Sequence, residues 1–160
     1  MKRKILAIVL LTAVIVALLT GCTGSAPVNR PAMKSGAAAV EVTGSCEAVL
    51  NGNVLSVKGE SNIADGTLGT ISVYDTQGRE VETVKVTKQG DNLSYDFAVT
   101  EKWPDEVFGF ITFDTRQAGT QPQEIQALYG SKFENMQGPN TLWDTYGVAA
   151  VFQSEIVKVK

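Results

Sequence analysis

The chain has 160 residues, carries 14 Lys and Arg against 17 Asp and Glu, and contains no histidine. That absence excludes Ser-His-Asp and Cys-His catalysis, histidine-ligated zinc and a histidine general base together. Neither GxGxxG nor GxxxxGKS/T occurs, so the glycine-rich phosphate loops of nucleotide-binding proteins are excluded as well.

Lys2, Arg3 and Lys4 form a positive head, followed by an apolar run from Ile5 to Leu19 whose only polar member is Thr12. This is the layout of an export signal. As a helix the run would rise about 22 Å, short of the ~30 Å hydrocarbon core that a permanent span must cross. It ends in Leu19-Thr20-Gly21-Cys22, which resembles the bacterial lipobox: a large aliphatic residue, two small residues, then cysteine. The resemblance implies that residues 1–21 are a lipoprotein signal peptide and that Cys22 is the lipidation site. Acyl chains of the palmitate kind on Cys22 would then anchor the mature protein to the extracytoplasmic face of a cell membrane. Two or three such chains hold far more firmly than the single chain that gives only marginal binding.

Loss of the signal removes three cations and no acid, leaving 11 Lys and Arg against 17 Asp and Glu, a formal −6. So acidic a chain is repelled by nucleic acid and by anionic headgroups, and the acyl chains must supply the attachment. Lipidation also leaves Cys46 without an intrachain partner. No disulfide and no thiolate metal site is expected, and Cys46, followed by the strand-like Ala48 to Leu50, reads as a buried small hydrophobe.

From Thr23 to about Gly36 the chain is small, turn-prone and interrupted by Pro27 and Pro31. About 14 such residues reach roughly 20 Å by square-root scaling, enough to lift a small domain off a membrane. Residues 22–42 are therefore read as the lipidated cysteine and a flexible tether, with Ala37 to Val42 either its end or a first edge strand. Residues 43–160, roughly 118 of them, are enough for one domain with its own core.

Within that domain the pattern is strand after strand. Val54, Leu55 and Val57 follow an Asn51-Gly52-Asn53 turn, Ile71 and Val73 share a face of Leu68 to Tyr74, and Asp75-Thr76-Gln77-Gly78 turns the chain into a run carrying Val81, Val84 and Val86. Leu93, Tyr95, Phe97 and Val99 alternate with Asn92, Ser94, Asp96 and Ala98, the period of a strand with one buried face. Phe108, Phe110 and Phe113 mark another strand, and Val148 to Val159 a long last one with a bend or bulge. Gln123 to Tyr129, between Pro122 and Gly130, predicts the one short helix. About seven strands with turn signals every 8–12 residues predict an all-β fold, an immunoglobulin-like antiparallel β-sandwich. A barrel would use the same alternation.

Three patches carry a second resemblance: Asn62-Ile63-Ala64-Asp65-Gly66-Thr67; Tyr74-Asp75 with Gly78; and Tyr129-Gly130 followed by Glu134-Asn135-Met136-Gln137-Gly138-Pro139. With them the chain resembles a group of exported β-sandwich proteins and lipoproteins of Gram-positive bacteria whose function is undetermined. The group usually has proline where Ala64 stands and leucine where Met136 stands. The resemblance implies a fold and brings no catalytic residues; Asp65-Gly66 and Gly138-Pro139 read physically as turn dipeptides.

Three site chemistries remain open to these residues. A carboxylate pair for glycan hydrolysis would have to use the adjacent Asp105 and Glu106, which point to opposite faces if they lie in a strand. A calcium site would gather Asp65, Asp75 or Asp114 from loops, without the Asp-x-Asp-x-Asp spacing that usually serves it. Loop aromatics, Trp103 and Trp143, would bind a carbohydrate or peptide at an end of the sandwich; against this stands Trp103 as an apolar plug. A protruding loop at Thr115 to Gln121 would suit a secreted protease inhibitor. The expectation is a non-enzymatic, lipid-anchored binding or structural module of the cell envelope, without cofactor or metal. Its partner would be an envelope protein or glycan, and no nucleic acid.

Overall fold

The alternating stretches pair as antiparallel ladders in a computed structural model, which describes residues 29–33 and 36–160. The signal at 1–21, Cys22 and the first part of the tether lie outside the described residues. Seven long strands carry the fold: β2 (Gly44–Asn51), β3 (Val54–Ser61), β4 (Leu68–Asp75), β5 (Glu80–Thr87), β6 (Asn92–Ala98), β7 (Glu106–Phe113) and β10 (Val148–Lys158). Three short ones, β1 (Val40–Glu41), β8 (Met136–Gln137) and β9 (Thr141–Trp143), and the helix α1 (Gln123–Tyr129) complete it. The helix spans the residues that the Pro122 and Gly130 boundaries predict.

β5-β4-β7-β10-β9 form a five-stranded sheet and β2-β3-β6 a three-stranded one, while β1 and β8 pair in parallel. The fold is thus an all-β sandwich. Leu55 and Val57 of β3 and Leu93 and Phe97 of β6 meet Ile71, Val73, Val107, Ile111, Phe113, Ala150 and Phe152 in one buried cluster. At two points glycine lets the sheets approach. A Cβ on Gly59 would stand 2.3 Å from Ile111 Cδ1, and one on Gly109 2.8 Å from Val57 Cγ1.

The last strand is bulged, as its length suggests: its register against β7 shifts between Gln153 and Ile156. Ser154 sits in the bulge, where its Oγ accepts from the Gly109 N–H at 2.8 Å and donates to the Glu155 carbonyl. The Ser154 backbone also bonds the Cys46 sulfur on β2. Burial nonetheless pushes the Cys46 thiol up to about 12, so it stays protonated and inert at neutral pH. Cys46 is half-buried and unpaired.

The chain enters the fold earlier than residue 43. Val42 is fully buried, its N–H donates to the Gln137 carbonyl at 2.8 Å, and Val40 N–H does the same to Asn135. Around this entry two of the resembling patches converge. The Asn62 side chain bonds both the Glu41 carbonyl and the Thr43 N–H. The Tyr129 hydroxyl accepts from Ala64 N–H at 2.7 Å, and Met136 is buried beneath β1. These patches are one structural joint, satisfying backbone groups that the short strands leave orphaned.

The remaining patch, the turn after β4, is held by Asp75. Its Oδ1 accepts from the N–H groups of Gln77 and Arg79, and its Oδ2 from the Arg79 guanidinium at 2.6 Å. Burial pushes this carboxyl up, but the bonds from Arg79 and Gln77 outweigh it and hold the carboxyl below its ordinary 3.8. Because the Arg79 side chain is mostly exposed, the backbone bonds carry more of this than the ion pair. A depressed pKa contributes stability that is complete above the unfolded value and is lost as pH falls through the folded one. Thermal melts of wild type should therefore be insensitive to this group from about pH 5 to 8 and drop below about pH 4, with a shallower acid limb in Asp75→Asn. Equal acid limbs would remove Asp75 as a contributor.

Candidate binding groove

In a sandwich the outward face of a sheet meets water and is ordinarily polar. Over part of the five-stranded sheet it is not. Tyr74 of β4 lies opposite Phe108, and Phe110 of β7 opposite Gln153 of β10, with Val151 next on the same face. Tyr74 stacks on Phe108 at 5.9 Å between ring centroids and meets Phe110 edge-on at 5.6 Å. These side chains floor a groove of about 270 Å3, closed along one margin by Leu142, Trp143 and Tyr146 and by the loop that carries Asp114 to Gln117.

Two loops make its walls, and each is built on an aspartate. Asp114 Oδ1 accepts from the N–H groups of Arg116, Gln117 and Ala118 at 2.7–3.2 Å. Asp144 Oδ1 accepts from Tyr146 and Gly147. A short polar side chain bonding its own following backbone is what fixes such turns. Arg116 ties the loops together, 3.6 Å from the Asp144 carboxylate and with its guanidinium 4.8 Å from the centre of the Tyr146 ring. Burial, then the neighbouring Glu80 carboxylate, raises the Tyr74 phenol above its ordinary 10.0. It therefore remains a hydrogen-bond donor at neutral pH.

The structure separates the two tryptophans. Trp143 is 46 % exposed on the groove margin, with the Arg30 guanidinium 5.4 Å from its ring centre. Trp103 is only 6 % exposed and packs on Phe97 at 6.5 Å in the core. It is the plug, and it presents no surface to a ligand. Asp105 and Glu106 are both exposed and line a shallow hollow with Asp75, Arg79 and Lys158. Asp65, Asp75 and Asp114 do not assemble, and no group of three potential metal ligands exists among the described residues. The Thr115 to Gln121 segment is tied down: Ala118 and Gln121 are buried, and the Gln121 amide bonds the backbone of Leu68 and Asp114.

Sequence reasoning placed Trp143 among the binding candidates and missed the floor of the groove. The signal for it was Glu-Val-Phe-Gly-Phe-Ile-Thr-Phe of β7, apolar on both faces, which marks a strand covered on both sides. No family model, no curated protein and no solved structure matches the chain.

Proposed function

We propose that this is a lipid-anchored protein of the bacterial cell envelope whose β-sandwich domain is a binding module, with the groove over β4, β7 and β10 as its binding surface. The observation that carries the reading is the outward Tyr74-Phe108-Phe110-Val151 floor, apolar where a solvated sheet face would be polar, beside an exposed Trp143. Contiguous apolar surface rimmed by polar loops is the mark of an interaction site. The loops are braced against each other by Arg116 and are formed in advance of any ligand, which keeps the ordering cost of binding low. The tied-down Thr115 to Gln121 loop does not favour the protease-inhibitor reading, and no geometry among the described residues favours a hydrolase.

The test uses a lipid-free chain starting at residue 23, screened against short peptides and soluble wall glycans by the emission of Trp143. A ligand of this surface should shift that emission in wild type and lose about tenfold or more of its affinity for Val151→Asp, which puts a charge into the floor. A ligand that binds the variant as tightly as wild type sits elsewhere and would refute the groove.

A further inference from the structure

We infer that Trp143, Tyr146 and Met33 form a contact for a phospholipid surface, the one that holds Cys22, so that the domain rests on its membrane by the outer margin of the groove. This rests on the lipid-anchor part of the proposed function and is independent of what the groove binds.

The chain joins the domain at Arg30. Its guanidinium bonds the Met136 carbonyl and lies 5.4 Å from the centre of the Trp143 ring, so the tether arrives at the groove margin. Cys22 stands only eight residues earlier, and eight residues span at most about 29 Å even when fully extended. A domain of roughly 118 residues has a radius of gyration near ~13–14 Å and measures about 35 Å across. With Trp143 on the side away from the membrane, the tether would have to pass the whole domain and would fall short. The margin that carries Trp143 is therefore held on the membrane-facing half.

What that margin exposes suits a bilayer interface. Trp143 is 46 % exposed and Tyr146 59 %, and Met33, three residues past Arg30, is exposed as well. Tryptophan and tyrosine gather at headgroup level in membrane proteins, where an apolar ring with a polar tip meets both phases. The charges agree. Arg30 and Arg116 stand over the two rings, while the Asp144 carboxylate is engaged by Arg116 and by its own turn. Headgroup phosphates would meet guanidinium groups here. The chain without its signal carries a formal −6, so the surplus of acid lies on other faces. Three side chains bury little apolar area and bind a membrane weakly by themselves. On a short tether, however, the contact is intramolecular, with an effective concentration in the mM range, and a weak contact then suffices.

The experiment couples a chain starting at Cys22 through that thiol to phosphatidylcholine vesicles bearing maleimide headgroups, at neutral pH, where burial keeps Cys46 protonated. Its tryptophan emission should shift to shorter wavelength and be quenched by lipids brominated high on the acyl chain. Trp143→Phe, which leaves Trp103 as the only indole, should remove both effects, and Met33→Ser with Tyr146→Ser should reduce the quenching. Val151→Asp in the groove floor should leave the quenching unchanged, so that the contact and the groove are read separately; its loss there would make the floor, and not this margin, the lipid site. Emission that matches the chain in buffer, with no quenching by brominated lipid, would overturn the membrane contact. Quenching that survives in Trp143→Phe would do the same. Quenching of the coupled chain combined with an unlabelled Cys22 in cells fed radiolabelled fatty acid would end the anchor, and this orientation with it.

Discussion

Truncating Trp103 to alanine lowers the stability of the domain by about 3–5 kcal/mol, the usual cost of removing a large buried aromatic side chain. The indole sits in the loop between β6 and β7, directly before Pro104, which holds the preceding backbone extended and fixes the direction of the ring. Its ring meets Phe97 and its own carbonyl accepts from the Lys160 ammonium, so the C-terminal strand closes over the same end of the core. A denaturant melt of wild type and Trp103→Ala measures the loss. In a Trp143→Phe variant Trp103 is the only indole left, and its emission should resist a soluble quencher. A change under about 0.5 kcal/mol, the scale of an exposed position, together with strong quenching, would place the ring outside the core.

The other large effect is all-or-none and concerns attachment. In the lipobox reading the thiol of Cys22 receives a diacylglycerol before the signal is cut, so Cys22→Ala leaves nothing to acylate. Cells grown with radiolabelled fatty acid should label wild type and leave the variant unlabelled. Equal label in both would end the lipoprotein reading. The measurement is independent of the groove, and either conclusion can fail without the other.

The parts of this fold that could be read in advance are those written in a local period. Leu93 and Phe97 of β6 are buried as its alternation predicts, although Tyr95 between them is 40 % exposed; α1 runs between a proline and a glycine, and the length of β10 foretold its bulge. Two-residue strands have no period to read. β1 and β8 exist because residues 40–41 and 136–137, almost a hundred positions apart, happen to meet over Met136, and only long-range packing decides that. Lys88 gave no warning either: it is 2 % exposed, its ammonium held by the Gly90 carbonyl and 3.5 Å from the Asp65 carboxylate. An isolated lysine in a sequence reads as surface. The two tryptophans show the same limit from the other side. Both stand in loops, and loop position alone does not distinguish a ring that closes a core from one that faces water.

The joint at the start of the domain has a mechanical consequence. If Cys22 is held in a membrane, any pull between membrane and domain travels along the tether and arrives at Arg30 and then β1. There it meets the Arg30 bond to the Met136 carbonyl and the bonds from Val40 and Val42 to Asn135 and Gln137. None of the ladders of the two main sheets lies in that path. A modest load would therefore peel the first strand from β8 and draw Val42 out of its pocket, lengthening the tether by a few residues while β2 to β7 and β10 stay paired. Under that load the entry strand would act as a tension relief, giving way ahead of the part of the molecule that carries the groove.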